Sequence, residues 1–593
     1  MQRKKYLFLK LFKIRLNKLM FENPIIQNLP KHLHSYIIEQ NYINYTARDQ
    51  AVWRYVMKRN LDFLSKVAHP SYVKGLKSTG ISIDHIPSTD EMNKSLGKIG
   101  WAAVTVDGFI PPAAFMEFQK HNVLVIAADI RPFDQIEYTP APDIIHEAAG
   151  HAPIIADPEY AEYLRYFGEI GSKAFSSKND YKIYEAIRHL SILKANPYSK
   201  HKDIELAEKQ LNTLSSKSGM PSEMTLIRNL HWWTVEYGLI GNIDKPKIYG
   251  AGLLSSIGES KNALKFDVTK IHYSIDAMDY GFDITKPQPQ LFVTPDFRTL
   301  TSVLDEFSNQ MALHTGGLDG LMKAIESAAT ATIEYTSGLQ ISGVFTDVMI
   351  YNGRPIYVNT TGPTSLNFKN KMIKGEGKEA HAEGFGSPIG KIKGYLKPTR
   401  LLADDELAEL GIKKDKKCTF EFESGVKVSG ILKRIIRKEG ILVLLSFTEC
   451  TVKHNRKTLF EPSWGQYDMA VGESIVSAFS GPADPDGFCL VAEVAREKTH
   501  KINYDEQTLN IHSLYSKLKK IDYSDESAAN KLRQIVEEYE KTAQDDWLLL
   551  VEIHKVCKDI SGSKDAQVTV LEKLDALKQN NSSLSHLIQF GLI

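Results

Sequence analysis

Two histidines and a distant carboxylate are the residues of this sequence whose types and spacing best fit a metal centre. His146 and His151 lie in the segment Asp143-Ile-Ile-His-Glu-Ala-Ala-Gly-His151. Zinc metalloproteases place two helical histidines four residues apart, about 40° around the helix axis. A spacing of five residues puts them about 140° apart on an ideal α-helix, so a regular helix would not direct both at one ion. The spacing disfavours a zinc hydrolase and predicts a local distortion of the helix.

The third ligand must come from elsewhere in the chain. Two histidines and one carboxylate on one side of an ion form the facial triad of non-haem iron oxygenases, which leaves coordination positions open. The best candidate is Glu236 in the aromatic segment His231-Trp-Trp-Thr-Val-Glu236, which we expect to be a buried helix. A carboxylate buried among tryptophans is costly unless it binds a cation. Each residue alone would more often be an ordinary core or ion-paired residue, and only the combination predicts a metal.

The element that positions the two histidines has recognisable ends. Pro140 and Pro142 are tolerated in a first helical turn. Asp143 adds negative charge near the positive end of the helix dipole. Gly150 and Pro153 are typical of a helix end. We therefore expect one short helix that carries both histidines.

Composition limits the class of protein. The 593 residues carry 73 Lys and Arg against 72 Asp and Glu, and this balance disfavours a nucleic-acid or membrane-surface role. A hydrophobic fraction of 42% is that of a globular protein, and the length suggests two to four domains. No run of 18 apolar residues occurs, which excludes a spanning helix. Four scattered cysteines without a C-x-x-C pair disfavour a zinc ribbon or disulfide scaffold and predict a cytoplasmic protein.

Changes of pattern along the chain predict its organisation. The expected fold is a mainly α catalytic domain followed by a mixed α/β region, a small β-meander or barrel, and a helical C-terminal segment. The corresponding ranges are 20–310, 311–415, 416–500 and 501–593. Residues 1–19 hold seven Lys and Arg and no acid, and we expect a basic, disordered extension. An amphipathic anchor, or a true start at Met20, are the alternatives.

The second half resembles no family that we recognise, and only its elements are predicted. We expect a helix from Gly320 to about Tyr335, a hairpin at Ser424-Gly425, and a helical bundle over the last ninety or so residues. His381 and Glu383 are spaced like metal ligands, but a solvated loop is the preferred interpretation. This half could form a homo-oligomer interface, an effector site or a cap over the catalytic domain.

Five segments, in order along the chain, carry a family resemblance. The three most specific are Tyr138-Thr-Pro-Ala-Pro-Asp143, Trp232-Trp-Thr-Val-Glu-Tyr-Gly-Leu239 and Tyr249-Gly-Ala-Gly-Leu-Leu-Ser-Ser-Ile-Gly-Glu259. Gly108-Phe-Ile-Pro111 and Tyr45-Thr-Ala-Arg-Asp-Gln-Ala-Val-Trp53 add support upstream. With these motifs, residues from about 25 to 300 resemble the pterin-dependent aromatic amino acid hydroxylases, and among them the bacterial phenylalanine 4-hydroxylases.

The resemblance implies an oxidoreductase. It would be a monooxygenase that hydroxylates the ring of a free aromatic amino acid with Fe(II), O2 and a tetrahydropterin such as tetrahydrobiopterin. The expected reaction is L-phenylalanine to L-tyrosine, as in phenylalanine catabolism, because Trp232 favours a smaller substrate ring than tryptophan. Hydroxylation of tryptophan or tyrosine is the alternative. A non-catalytic ligand-sensing or interaction protein that uses its C-terminal half is an alternative from another class.

The resemblance also implies the site residues. The iron ligands would be His146, His151 and Glu236. The substrate pocket would be formed by Arg131, Thr139, Pro140, Pro142, Trp232, Gly252 and Ser255, in which Arg131 binds the carboxylate and Trp232 and Glu147 act in catalysis. The pterin site would be formed by Gly108, Phe109, Ile110, Phe115 and Glu147. Asp143 would orient a ligand histidine, and glycines 250 and 252 would let the backbone approach the ligand. The family pattern is broken at Ala148 and Ala149, which are smaller than expected, and at His231, where an aromatic ring is expected.

Overall fold

The structure is a computed structural model that describes residues 23–137, 143–196, 198–216, 219–283, 287–492, 494, 504–542 and 545–592. The predicted basic extension at 1–19 lies outside these ranges, as do Met20, Thr139, Pro140 and Pro142. No helix within the described ranges is both long enough and apolar enough to span a bilayer.

The first half is mainly helical, as expected. Its α-helices of seven residues or more are Ala47–Val67, Pro70–Ser78, Thr89–Leu96, Pro112–Lys120, Pro158–Gly171, Lys178–Ala195, His201–Ser216, Glu223–His231, Ile257–Ala263 and Phe297–Gln310. Side chains stabilise several of their starts: Thr46, Ser88 and Ser177 each cap a helix and form a capping box with the acid three residues on. Trp53 and Trp233 are fully buried in the shared core of these helices.

Two small sheets complete the first half. Strands Ala102–Val106 and Val123–Ala127 pair in parallel. A four-stranded sheet has the order Lys247–Ile248, Leu239–Ile240, Gln290–Thr294 and Thr269–His272. The strand Leu239–Ile240 directly follows the segment of Glu236, so this sheet anchors the carboxylate that sequence analysis selected.

Residues 330–480 form two antiparallel sheets. The first has the order Lys371–Met372, Arg354–Phe368, Leu339–Tyr351, Thr330–Tyr335 and Ile475–Ser480, and Gly386–Pro388 also pairs with Arg354–Phe368. The second has the order Lys417–Glu421, Val426–Lys438, Ile441–His454 and Lys457–Phe460, and Tyr467–Ala470 pairs with Ile441–His454. The strand Ile475–Ser480 returns to the first sheet, so the ranges expected as two regions share one sheet.

One predicted element of this half was wrong and another is confirmed. The helix expected from Gly320 to about Tyr335 ends at Ser327, and Thr330–Tyr335 is a strand. Ala328 takes a left-handed conformation, which ends the helix, and the alternation of Thr-Ala-Thr-Ile-Glu-Tyr favours a strand after it. The hairpin at Ser424-Gly425 is confirmed.

His381 is not in a solvated loop, contrary to expectation. Its side chain is buried, and its Nε2 lies 3.3 Å from Oε2 of the fully buried Glu376. Asp468 Oδ2 lies 3.9 Å from the same nitrogen, whereas Glu383 is exposed and takes no part. Arg434 contacts both carboxylates, at 2.8 Å and 3.2 Å, and supplies the counter-charge that a cation would otherwise provide. The strands fold His381 inward because residue 381 pairs with Thr364.

The last helices pack onto the first half. Glu506–Lys519, Ala528–Thr542, Trp547–Asp559, Lys564–Asn580 and Ser582–Gly591, together the C-terminal bundle, are helical as expected. Their buried side chains belong to the same hydrophobic core as the first half. Trp547 contacts Tyr55 edge-on at 5.0 Å, and Tyr55 donates a hydrogen bond to the carbonyl of Leu587. The division of the chain into domains stays a prediction.

Candidate metal centre

The two histidines lie on a helix with a distorted turn. Residues Ile145–His151 form a π-helical turn, and an α-helical turn, Ala152–Ile155, continues it. The amide of Ala152 bonds to the carbonyl of Glu147, five residues earlier. A π turn takes roughly one residue more than an α turn, so residues five apart return to the same side. The distortion predicted from the spacing is therefore confirmed.

The expected end of this helix was wrong. The helix runs through Gly150 and Pro153 to Ile155. A Cβ on Gly150 would lie 2.6 Å from the carbonyl oxygen of Ala251. Glycine is needed at this position for close packing against the segment of Ala251, and not to end the helix.

Glu236 also lies in a π turn. The helix Glu223–His231 passes into the turn Trp232–Glu236, where the amide of Tyr237 bonds to the carbonyl of Trp232 at 2.8 Å. The expected buried helix is confirmed, since four of the five residues of the turn are buried. Both segments that carry candidate ligands are thus widened in the same way, by a π turn, and π turns are frequent at functional sites.

The three candidate ligands meet at one point. His146 Nε2 lies 3.2 Å from His151 Nε2 and 3.2 Å from Glu236 Oε2. His151 Nε2 lies 3.4 Å from Glu236 Oε1. With metal–ligand bonds of about 2.1 Å, two ligands at right angles are about 3.0 Å apart, so mutual distances of this size fit three adjacent positions around one ion. The donor set and its geometry therefore fit a facial iron site.

The charges of this cluster are strongly coupled. Burial alone would raise the pKa of Glu236, but His151 and His146 outweigh it and lower that pKa well below its usual range. Burial would lower the pKa of His146, and Glu236 instead raises it to about 9. His231 is different, because burial lowers its pKa to about 4. The site therefore favours an ionised Glu236 and a protonated His146, and His231 beside them is neutral.

Ser255 orients His146, and Asp143 does not contact the imidazole. The Ser255 hydroxyl lies 3.1 Å from His146 Nδ1 and donates to the carbonyl of Gly252. Because its proton is used there, the hydroxyl accepts from Nδ1–H, and Nε2 is the ring nitrogen that remains to bind a metal. Asp143 instead accepts the backbone N–H of His146. Asp143 thus contacts the backbone of the candidate ligand histidine and not its ring, and its expected orienting role stays a prediction.

Arg131 is held rigidly at the wall of the site. Its Nε and Nη2 donate to the two oxygens of Asp143 at 2.8 Å and 3.0 Å, and its Nη1 donates to the carbonyl of Ser255. Arginine has five N–H donors, so one hydrogen on each Nη remains for a ligand carboxylate. Burial would raise the pKa of Asp143, but Arg131 lowers it. Both side chains are almost fully buried, and the pair is ionised.

Gly250 and Gly252 pack against the segment that carries Glu236. A Cβ on Gly250 would lie 2.4 Å from the carbonyl oxygen of Glu236, and one on Gly252 would lie 3.0 Å from the same atom. We expected both glycines to let the backbone approach a ligand. This expectation was wrong for Gly250, because its backbone approaches the backbone of Glu236 instead. Gly252 also lines the cavity described next.

The candidate site opens into a cavity of about 820 Å³. Its walls include most of the residues that sequence analysis named: Gly108, Phe109, Ile110, Phe115, Arg131, His146, Glu147, Trp232, Glu236, Gly252 and Ser255. His151 lies behind them and is almost fully buried. Glu147 has one carboxylate oxygen, Oε2, without a hydrogen-bond partner among the described residues, and burial raises its pKa.

Two residues that sequence analysis missed hold the loop 108–110. Tyr184 and Arg188 donate to the carbonyl of Phe109 at 3.1 Å and 3.2 Å. Both belong to the helix Lys178–Ala195, more than seventy residues away in sequence. A lone arginine in a charged helix looks like a surface residue, so no signal in the sequence could have found them.

Trp232 is already stacked. Its indole lies 4.2 Å from the ring of Phe282 at 8°, and 4.7 Å from the ring of Tyr237 at 23°. Phe282 also lines the cavity and was missed by sequence analysis. An aromatic ligand ring therefore meets an aromatic cluster here, and Trp232 is only one member of it.

Comparison with known proteins shows which family this region is similar to. Residues 32–183 and 202–316 match the family described as biopterin-dependent aromatic amino acid hydroxylase. The resemblance predicted from the motifs is confirmed. The matched region is similar to pterin-dependent oxidoreductases, and it covers less than half of the chain.

The relatives found are phenylalanine hydroxylases. The phenylalanine-4-hydroxylase of Mesorhizobium japonicum is 26% identical over 269 residues, which are 45% of this chain and 81% of the relative. That of Ralstonia nicotianae is 29% identical over 283 residues, which are 45% of this chain and 76% of the relative. A crystal structure of phenylalanine hydroxylase from Chromobacterium violaceum bound to cobalt is 24% identical, covers 47% of this chain and 87% of that chain, and has a TM-score of 0.36.

Proposed function

We propose that residues 32–316 hydroxylate the ring of a free aromatic amino acid, with L-phenylalanine as the preferred substrate and L-tyrosine as the product. The observation that carries the proposal is the meeting of His146, His151 and Glu236 within 3.2–3.4 Å at the wall of a cavity that also contains Arg131. When bound, Fe(II) and a tetrahydropterin would supply the oxygen activation and the electrons of the reaction.

The residues of the chain have separate tasks in this proposal. His146, His151 and Glu236 hold the iron, and Ser255 fixes the ring of His146. Arg131 binds the substrate carboxylate with its two remaining donors, and Asp143 prevents it from turning away. The aromatic cluster of Trp232, Phe282 and Tyr237 supports the substrate ring and excludes water.

The loop 108–110 with Phe115 and Glu147 is the proposed pterin site. Phe115 lines the cavity, and Glu147 Oε2, which has no hydrogen-bond partner within the described residues, can bond to a ring nitrogen. Tyr184 and Arg188 keep the loop in place. The preference for phenylalanine rests on the names of the relatives and on Trp232.

The direct test uses the full chain loaded anaerobically with Fe(II). It is mixed with tetrahydrobiopterin, O2 and each of L-phenylalanine, L-tyrosine and L-tryptophan, and products are separated by chromatography. We expect hydroxylation of phenylalanine first, loss of activity in H151A, and normal activity in the control H314A, whose histidine is exposed. Absence of product from all three amino acids, or turnover without pterin, would refute the proposal.

A further inference from the structure

The cavity extends beyond the groups that the proposed reaction needs. Past the loop 108–110 it is bounded by the helices Lys178–Ala195, His201–Ser216 and Glu223–His231. Ile183, Ile187 and Leu211 give this part an apolar wall, and the exposed Asn212 lies at its mouth. We call this part the outer lobe.

An arginine whose guanidinium forms no ion pair or hydrogen bond within the described residues faces the outer lobe. Arg228 lines the cavity, and its guanidinium has no ion pair and no hydrogen bond within the described residues. Every other arginine of residues 23–137, 143–196 and 219–283 has an acidic or carbonyl partner: Arg48, Arg54, Arg59, Arg131, Arg165 and Arg188. Burial lowers the pKa of Arg228, which reflects the cost of a desolvated charge.

The acidic groups nearby do not satisfy this charge. Asp180 is the one that acts on Arg228, but its oxygens accept from the amide of Ser177 and from the hydroxyls of Ser222 and Thr225. Glu208 at the mouth is paired with Lys194 at 2.7 Å. An anion that enters the lobe would therefore find Arg228 available for a charge-assisted hydrogen bond.

Arg228 lies close to the proposed pterin site. It precedes His231 by three residues, one turn of the same helix, so both project to one side of it. The ring of His231 meets the ring of Phe115 edge-on at 5.8 Å. The helix that holds the loop 108–110 through Tyr184 also supplies Ile187 to the outer lobe. The loop, the apolar wall and Arg228 thus border one continuous space.

Part of this wall is particular to the chain. The family match is interrupted between residues 183 and 202, and this gap contains most of the helix Lys178–Ala195. Ile187 lies in this gap, whereas Ile183, Leu211 and Arg228 lie within the matched ranges.

We propose that the pterin used by this protein carries an acidic side chain, which lies along the apolar wall and is bound by Arg228. This proposal rests on the proposed function and specifies its cofactor class: a reduced pterin substituted with a carboxylate or a phosphate, rather than one with a neutral hydroxylated tail. Ile183, Ile187 and Leu211 contact the spacer, and the guanidinium of Arg228 pairs with the terminal anion.

The test is equilibrium binding of unreactive dihydropterins to the full chain, measured by calorimetry. Dihydrobiopterin has a neutral tail, dihydrofolate a carboxylate tail, and dihydroneopterin monophosphate a phosphate tail. We expect one of the acidic forms to bind at least about tenfold more tightly than dihydrobiopterin, and which one does so identifies the anion. R228Q should abolish the preference and R228K should keep part of it, whereas R298Q, which removes an exposed arginine outside the cavity, should keep all of it.

Two outcomes would overturn the proposal. Equal binding of all three pterins by the wild-type chain would refute the proposal that the pterin carries an acidic tail. A parallel loss of neutral and acidic pterins in R228Q, with an unchanged melting temperature, would give Arg228 a different role. If no pterin binds at all, the proposed function itself is refuted. If dihydrobiopterin binds and the acidic pterins bind no more tightly, only the proposal of an acidic tail is refuted.

Discussion

Arg131 and Asp143, twelve residues apart in sequence, meet edge to edge through two hydrogen bonds of 2.8 Å and 3.0 Å. The pair fixes the plane of the guanidinium and leaves its outer donors directed elsewhere. The same carboxylate accepts the amide of His146, so one acidic side chain links the proposed substrate anchor to the helix of the proposed iron ligands.

Replacing this carboxylate with an amide should affect substrate binding more than turnover. In D143N the amide can still accept from Arg131 but no longer carries charge, so Arg131 is free to turn. We expect the KM for the amino acid to rise about tenfold with a smaller change in kcat. Steady-state kinetics with varied amino acid at saturating pterin measure the two separately. An unchanged or lower KM would contradict the positioning role of Asp143.

Removal of the hydroxyl that orients His146 should weaken the metal site. In S255A the Nδ1–H of His146 loses its acceptor, so the ring is free to rotate. Loss of such a partner typically costs about 10–100-fold in metal affinity. Titration of metal-free protein with Fe(II) under anaerobic conditions gives the affinity. S302A, which removes an exposed hydroxyl bonded to a helix carbonyl, is the matched control, and equal affinities of the two variants would argue against the role.

The C-terminal bundle should be required for folding of the first half. The bundle contacts Tyr55, which is fully buried in the shared core. A chain that ends at residue 316 would expose this surface to water, and we expect it to aggregate or to lack a cooperative melting transition. Circular dichroism and size-exclusion chromatography check this. A soluble, active fragment 23–316 would show instead that the bundle is dispensable.

A single residue tests the same interface. Trp547 is almost fully buried between Tyr55 and Phe133, and W547A should lower the free energy of unfolding by about 3–5 kcal/mol. Trp464 is 60% exposed, so W464A should change it by less than about 0.5 kcal/mol. Chemical denaturation of both variants measures the difference. Similar losses in both would mean that Trp547 does not anchor the bundle.

Acid should weaken the packing of the bundle through His512. Burial, with Arg48 beside it, lowers the pKa of His512 to about 4. In the unfolded chain the group takes up its proton near pH 6.5, so the unfolded state binds more protons between the two values. Stability is therefore complete above about pH 6.5 and falls as the pH drops towards 4. Melting temperatures should fall over this window in the wild type and less in H512Q, and parallel curves would contradict the assignment.

The ion cluster in the sheets of residues 330–480 should contribute to stability. In E376Q the partly exposed Arg434 and the buried His381 lose a charged partner. Breaking a buried pair in this way typically costs about 3–5 kcal/mol. E383Q, at an exposed acid nearby, should be nearly neutral. Urea unfolding of the two variants distinguishes them, and equal midpoints would show that the cluster is not coupled to the fold.

Local sequence patterns were sufficient to predict much of the secondary structure and burial in the first half of the chain. The histidine spacing predicted a distorted helix because the angle per residue in an α-helix is fixed, and the aromatic run around Glu236 predicted burial. Alternation of side chains predicted the hairpin at Ser424-Gly425. The same local rules failed between Gly320 and Tyr335, where small residues are compatible with a helix and with a strand, and pairing with Leu339–Tyr351 decides for the strand.

The sequence by itself determined which functional groups are present: two imidazoles, one carboxylate, an arginine and several aromatic rings. They lie in segments specific enough to indicate the family. Only the tertiary structure decided which partners those groups meet. Ser255 rather than Asp143 bonds to the His146 ring, Tyr184 and Arg188 hold the loop 108–110, and Arg228 forms no ion pair within the part of the chain that the structure describes. These contacts join residues distant in sequence, and no local pattern encodes which surfaces the packing of the core brings together.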